Sequence, residues 1–528
     1  MGRPKTPAAM AVAAGIFLSR IAGLLRDRAF AHYLGNSLAA GAFKAALRIP
    51  NFLQNLFGEG VLSASFIPVY ARLRAEGRDD EARQLAGSVA AILILMVTLL
   101  SAVGVVFAPE MIDILAPGFE APDVRELTIN LVRIMFPGIA LLVMSAWCLG
   151  ILNSHGYFLL SYVAPVLWNL AIIGALIWSG QASNEGDIGQ NKLVVDVAWG
   201  TVVGCVLQLT VQLPLVFKLV RGMRLKFGLN NPSVQKVVGN FLPVLASRGV
   251  VQVSAYVDGI IASFLGPAIY SAMAYAQTLY LLPISLFGMS VSAAELPAMS
   301  SVIGDQNLIH EQVQQKLVKG LARVAFFVIP SVAAMLVLGD VIIAAVYQTG
   351  AFTPKDARDG WIILAGYAIG LLPSTLGRLC STAFYAIGDS RTPLKFACLR
   401  VALTGGLGAF AALVLPQTLG LSLIAGAALL TSAAGLSSWL EFALLRRAIG
   451  KVVGSVKLQS GLMLRLSSIA MGSAALSYGT KTILPKLNPI ISGAFVLGIF
   501  GICYLGLTIW LGLGEGLAMR AALAKRVK

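Results

Sequence analysis

Apolar residues fill most of the chain in long blocks, broken by short stretches rich in glycine, proline and charge. A helix crossing the hydrocarbon core of a bilayer needs roughly 20 mostly apolar residues. By that rule the pattern predicts fourteen spanning helices, at 9–33, 38–70, 85–107, 126–152, 158–179, 193–217, 236–265, 268–300, 318–346, 360–386, 393–415, 419–444, 460–484 and 488–513. Pro50, Pro283 and Pro330 fall inside predicted spans. Each removes a backbone hydrogen bond and clashes with the preceding turn, so bends are expected there.

Composition strengthens this picture. Hydrophobic residues make up 57% of the 528 and charged residues only 12%, with a mean hydropathy of +0.82. A soluble chain carries about 25% charge. The balance excludes a soluble enzyme, a disordered chain and a nucleic-acid-binding module. The net charge of +16 then belongs to loops at one membrane face. With the N-terminus in the cytoplasm, 25 of the 40 lysines and arginines fall on that side and six on the other. This bias predicts a multi-pass protein with both termini cytoplasmic and an even number of spans. The start of the chain, with Arg3 and Lys5 running into a long arginine-bearing helix, does not read as a cleavable signal peptide.

A repeat runs through the pattern. Leu34-Gly35 returns as Leu265-Gly266, Phe57-Gly58 as Phe287-Gly288 and Pro68 as Pro297, at offsets of 231, 230 and 229. Pro117-Gly118-Phe119 with Pro122 is echoed by Gly350-Ala351-Phe352 with Pro354. The offset covers six spans, so both copies keep one orientation, as in parallel-repeat transporters. The expected organisation is an N-lobe over 1–225, a C-lobe over 226–450, and a terminal helix pair with a basic tail over 451–528.

Nine cations remain inside predicted spans: Arg20, Arg26, Arg28, Lys44, Arg48, Arg133, Arg248, Arg378 and Arg400. One such charge at a helix centre costs roughly 2.5–3.5 kcal/mol on insertion scales. Arg28, Arg133 and Arg400 lie near enough to helix ends to snorkel. The deep acids are Asp27, Glu59, Asp258 and Glu295, which leaves a cationic excess. Two readings stand side by side. The cations tie helices together, or they line a water-filled cavity for an anion. Lys44 and Arg48, four apart, share a helix face. Guanidinium groups suit a phosphate or diphosphate, which they bind bidentately without losing their proton. Arg20, Arg26, Lys44, Arg48, Arg248 and Arg378 are therefore the candidate substrate-binding residues. Asp27, Glu59, Asp258 and Glu295 are the candidates for gating, ion pairing or coupling.

Cys148, Cys205, Cys380, Cys398 and Cys503 sit in apolar runs without metal spacing, and His32, His155 and His310 are scattered. No nucleotide loop, metallohydrolase, nucleophile-elbow or paired-carboxylate motif is present. No catalytic residue, metal site or cofactor is expected.

Several of these residues also resemble a known family. Ser19-Arg20, Gly23 and Arg26-Asp27 are similar to the first-helix motif of the MurJ (MviN) lipid II flippases. Arg48-Ile49-Pro50-Asn51, Phe57-Gly58-Glu59-Gly60 and Phe66-Ile67-Pro68 resemble their second helix. Ala116-Pro117-Gly118-Phe119, Gly150-Ile151-Leu152-Asn153, Ala164-Pro165 with Asn169, Gln208, and Gln212-Leu213-Pro214 follow in order. Phe384-Tyr385-Ala386 and Gly388-Asp389-Ser390-Arg391-Thr392-Pro393 match a late signature, so the resemblance covers about residues 8–520. It implies an all-α polytopic membrane protein of fourteen helices, two six-helix lobes plus a terminal pair, in the multidrug, oligosaccharidyl-lipid and polysaccharide exporter superfamily. The implied substrate is lipid II, the undecaprenyl-diphosphate-linked disaccharide peptide of peptidoglycan. The implied action moves its head group from the inner to the outer leaflet of the bacterial cytoplasmic membrane, for cell-wall synthesis. The terminal pair would hold the polyprenyl tail, and membrane lipids and cell-wall synthesis proteins are the implied partners.

The chain departs from the family pattern at Gly41, where many members carry Asp, at Gln54-Asn55, where they carry a basic pair, and at Thr278, where they carry Arg. Lys44, Arg248 and Arg378 are candidates to supply the missing charge. The alternatives are a polysaccharide-unit lipid flippase or cation-coupled drug exporter of the same superfamily and, more remotely, a polyprenyl-phosphate-processing membrane enzyme. Without a nucleotide motif, the expected energy source is a coupling ion (sodium or a proton) or the membrane potential, worth about 2.3 kcal/mol per charge per 100 mV.

Overall fold

The computed structural model describes residues 8–57, 59–182, 187–292, 295, 299, 306–456, 460–483, 487–513 and 517; among them the protein is helical and contains no strand. The helices are α1 (Ala8–Leu34), α2 (Leu38–Phe57), α3 (Glu59–Ser65), α4 (Ile67–Ala75), α5 (Asp79–Val106), α6 (Ala108–Leu115), α7 (Pro122–Ser154), α8 (Phe158–Ala182), α9 (Asp187–Thr210), α10 (Leu213–Leu219), α11 (Pro232–Ser263) and α12 (Pro267–Pro283). After a π segment at Ile284–Met289 come α13 (Gln306–Val337), α14 (Gly339–Tyr347), α15 (Pro354–Ala386) and α16 (Arg391–Ala409). A second π segment, Phe410–Val414, leads to α17 (Leu415–Leu419), α18 (Leu423–Val453), α19 (Ser460–Ile483) and α20 (Pro489–Trp510). Ten of the helical runs in the described residues are long and apolar enough to cross a membrane, and the protein is a polytopic membrane protein.

Local sequence sets the boundaries. Pro122, Pro232, Pro354 and Pro489 stand in the first turns of α7, α11, α15 and α20, where a missing N–H costs nothing. Asn231, Thr353, Ser422 and Asn488 cap α11, α15, α18 and α20 by accepting backbone N–H groups. Thr353 and Asp356 form a reciprocal capping box. The span expected at 38–70 breaks at Phe66, between α3 and α4, and Pro68 stands in the first turn of α4. The span expected from 268 passes into its π segment directly after Pro283. The ring leaves a carbonyl without its i→i−4 donor, and the ladder re-registers.

The described chain divides into two compact units, Met1–Tyr270 and Ser271–Lys528. Inside each, the repeat is visible. The first breaks at Phe107 before the short α6, the second at Leu338 before the short α14, 231 residues on. The turns after α7 and α15 place Gly156 at φ 81° and Gly388 at φ 82°, a region that glycine enters without a Cβ penalty. In the first unit α7 crosses α9 closely, so that a Cβ on Gly138 would lie 3.1 Å from Cys205 Sγ. In the second, α15 crosses α18 at Gly370 and Gly435, where an added Cβ would come within 2.8 Å. Helices in lipid associate through such close packing because there is no apolar surface to hide from water.

The copies differ beside that crossing. In the first, Gln208 and Gln212 both donate to Ser145 Oγ of α7, at 3.1 and 2.6 Å, in a buried polar cluster at the start of α10. In the second, Gly377 of α15 faces Phe442 and Leu445 of α18. The terminal helices belong to the second unit. Leu466, Ile469, Ala470 and Ala474 of α19 and Val496, Phe500 and Tyr504 of α20 share one core with Phe326 and Ile329 of α13. Tyr504 donates to the Phe326 carbonyl at 2.7 Å, and Lys481 at the end of α19 pairs with Asp340 of α14.

Candidate functional site

The first unit gathers two of the candidate cations around one candidate carboxylate. Asp27, on the buried face of α1, is 3% exposed. Its Oδ1 accepts Arg26 Nη2 at 2.9 Å and Lys44 Nζ of α2 at 3.2 Å. Arg26 Nη1 donates to Asn169 Oδ1 of α8 at 3.1 Å, and its guanidinium lies 5.1 Å from the Trp168 ring centre. Asn169 Nδ2 donates to the Pro165 carbonyl, which fixes its oxygen toward Arg26. Lys44 also sits 4.6 Å above the Phe30 ring. Among the described residues two cations face this one anion. Arg26 retains 19% side-chain exposure and Lys44 13%, so their charge is nearly dehydrated and available to an incoming anion.

Arg48, one turn beyond Lys44 on α2, faces elsewhere. Its Nη1 donates to the Tyr270 hydroxyl at 3.3 Å and its guanidinium lies 5.0 Å from the Tyr256 ring centre. Tyr256 donates in turn to the Arg48 carbonyl at 2.8 Å. A Cβ on Gly259 would be 2.4 Å from Arg48 Nη1, so the guanidinium lies on bare backbone of α11. Asp258, half-buried, is the next residue on that helix. It stands 231 positions after Asp27, the repeat offset. The same side of the unit closes tightly. Gly118 N–H donates to Ser263 Oγ at 3.0 Å, and an added Cβ on Gly41 would meet the Pro267 carbonyl at 2.0 Å. Any side chain at position 41 would need room that Pro267 occupies.

The remaining candidates lie apart. Arg20 is exposed on α1 and has no ion-pair partner among the described residues. In the second unit Arg378 is exposed on α15, and Glu295 faces Arg323 at 3.8 Å. The side chains of Arg248 and Glu59 lie outside the described residues, although α11 and α3 run through both positions. Thr278 turns its hydroxyl back to the Ala274 carbonyl. Sequence reasoning missed Trp168, Tyr256 and Tyr270 as partners of the arginines, because aromatics are ordinary in membrane helices. It also missed Glu441, which pairs with Arg400 Nε at 3.0 Å.

The fold has relatives. The family model described as lipid II flippase MurJ matches residues 30–501. The chain belongs to the lipid II flippase MurJ family. It is 30% identical over 395 residues to the lipid II flippase MurJ of Burkholderia cenocepacia, covering 74% of this chain and 75% of that one. With the probable lipid II flippase MurJ of Buchnera aphidicola subsp. Baizongia pistaciae it shares 27% over 490 residues, 92% of each chain. Among solved structures it superposes on a lipid II flippase MurJ in an inward closed conformation with a TM-score of 0.75 at 25% identity, covering 95% of this chain and 100% of that one. An inward-facing multidrug MATE transporter of the MOP superfamily gives 0.66 at 18% identity, covering 85% and 99%. That second likeness concerns the fold alone.

Proposed function

We propose that this MurJ-family protein is a lipid II flippase of the bacterial cytoplasmic membrane, which passes the head group from the inner to the outer leaflet by alternating access. The observation that carries the reading is the family match across residues 30–501. The chemistry of the first unit agrees with it. A dehydrated guanidinium, held by Asp27, Asn169 and Trp168 beside an ammonium, suits a diphosphate better than a cationic drug. In this reading Arg26 and Lys44 bind the diphosphate, while Arg20, Arg48 and Arg248 lie along the path of the head group. The chain spans fourteen times with both termini cytoplasmic, in lobes near 1–225 and 226–450 followed by the pair within 451–528, which holds the polyprenyl tail. A membrane potential or a coupling cation resets the cycle, and Asp258 is the acid placed to feel either.

The test is a lipid II flipping and complementation assay with membrane levels measured alongside. Arg26→Ala should abolish flipping at near-normal abundance. Arg26→Lys keeps the charge and loses the planar two-point geometry, so it should retain roughly a tenth of the rate, a deficit of about 1.4 kcal/mol. Normal flipping by well-expressed Arg26→Ala protein would remove this cluster from the substrate path.

A further inference from the structure

Arg378, Arg400 and Glu441 take no part in the cluster around Asp27, yet they meet on the second unit. Arg378 stands eight residues before the end of α15 at Ala386, and Arg400 nine residues after the start of α16 at Arg391. At about 1.5 Å per residue, both lie roughly 12–14 Å from the α15–α16 turn. That depth is inside one leaflet of a hydrocarbon core about 30 Å thick. Arg400 Nε sits 3.0 Å from Glu441 Oε2 of α18. Arg378 is exposed and makes no ion pair within 4 Å among the described residues; it follows Gly377, where an added Cβ would lie 3.9 Å from Phe442, the neighbour of Glu441 on α18.

The surroundings are apolar and open. Tyr385, Leu399, Trp439 and Leu440, which flank the three charges in sequence, are all exposed large side chains. The Trp439 N–H is taken by the Ile369 carbonyl of α15, so its ring offers a fixed apolar face. An exposed guanidinium at this depth is costly unless an anion comes to it, and the bilayer supplies one in its head groups. Among the described residues two guanidinium groups stand with one carboxylate, a balance that favours a singly charged phosphodiester over a diphosphate.

We propose that Arg378 and Arg400, held in register by Glu441, form a binding site for a singly charged phospholipid. Its phosphate is drawn between α15 and α16, and its acyl chains lie against Tyr385, Leu399, Trp439 and Leu440. The occupant comes from the leaflet on the side of the α15–α16 turn. Such a lipid would brace the second unit where three of its helices meet.

The probe is phosphatidylglycerol. The full chain is reconstituted in nanodiscs of phosphatidylcholine with or without phosphatidylglycerol, released into detergent, and its retained lipid counted by native mass spectrometry. Wild-type protein should retain phosphatidylglycerol over phosphatidylcholine and gain thermal stability from it. Arg378→Gln and Arg400→Gln should each lower retention roughly ten-fold and lose the lipid-dependent gain, and Arg378→Lys should fall between. Because Arg378 is exposed and makes no ion pair among the described residues, Arg378→Gln should unfold at the wild-type temperature in phosphatidylcholine alone. Arg323→Gln, which removes another exposed charge of the same unit, should change nothing. The proposal is overturned by undiminished retention in Arg378→Gln, by an equal loss in Arg323→Gln, or by undecaprenyl diphosphate displacing the phospholipid from wild-type protein. Lipid retention is read without transport, so either result leaves the flippase reading to its own assay.

Discussion

At the scale of single residues, Asp27 decides whether the first unit can keep its cations. It is buried and holds Arg26 and Lys44 through one oxygen. Removing one partner of a buried pair costs about 3–5 kcal/mol, because a charge is left behind uncompensated. Asp27→Asn should therefore cut membrane abundance sharply, with a loss of stability of about that size, measured by thermal unfolding in detergent. Asp27→Asn with Lys44→Met removes the repulsion between the orphaned cations and should recover at least half of the loss. Simple addition of the two effects would show that Lys44 and Asp27 are not coupled. Arg26, Asp27 and Lys44 were each legible because charge is rare in apolar runs, but their meeting was not: Lys44 was paired by helix face with Arg48. Their partners on α8 were less legible: Asn169 appeared only as one residue of a motif, and Trp168 carried no signal. Glu441 escaped for a different reason. The span expected at 419–444 places it at a helix end, whereas α18 continues to Val453 and carries it inside.

Elements were legible in order and type, since apolar length is a strong signal, but their interruptions were not. The break in the second span at Phe66 matters because α4, beyond it, fastens the turn between α7 and α8. Tyr70 meets His155 Nε2 at 3.0 Å, and Arg74 donates to the Ser154 carbonyl at 2.7 Å. Burial, and after it the positive charge of Arg74, push His155 down to about 4 from its ordinary 6.5. The folded turn thus holds a neutral imidazole, while the unfolded chain takes up a proton below about pH 6.5. The contribution of this contact is complete above that pH and declines as pH falls toward 4. Protection of the 155–157 amides, taken against the intrinsic exchange rate at each pH, should fall across that window, and His155→Gln should remove this fall while leaving protection at pH 7.5 within a few-fold of wild type. An unchanged pH profile in His155→Gln would assign the effect to other groups. A short connecting helix gives no apolar-length signal, so nothing in the hydrophobic pattern pointed to α4 as a fastener.

At the scale of the whole molecule, the repeat and the charge bias make a joint statement about orientation. The breaks at Phe107 and Leu338 and the turns at Gly156 and Gly388 recur at 231 and 232 residues, across six predicted spans. Six crossings would return the chain to the same side, so the sequence predicts that the turns after α7 and α15 open on one face. The basic residues, 25 against six, predict that this face is cytoplasmic. The direction of transport depends on it, because in the reversed orientation the same cations would meet a head group from the wrong leaflet. Single cysteines test this once Cys398, which is exposed, and Cys503, which is half-buried, are replaced. Tyr157→Cys and Ser455→Cys lie in turns assigned to the cytoplasm, and Ala351→Cys and Leu421→Cys in turns assigned to the outside; all four positions are exposed. A membrane-impermeant maleimide added to intact cells should label the second pair and reach the first only after lysis. Labelling of Tyr157→Cys together with Ala351→Cys in intact cells would contradict the five predicted spans between them, an odd count, and with it the parallel repeat. A clean exchange of the two pairs would preserve the repeat and reverse the orientation, leaving the charge bias as the faulty premise.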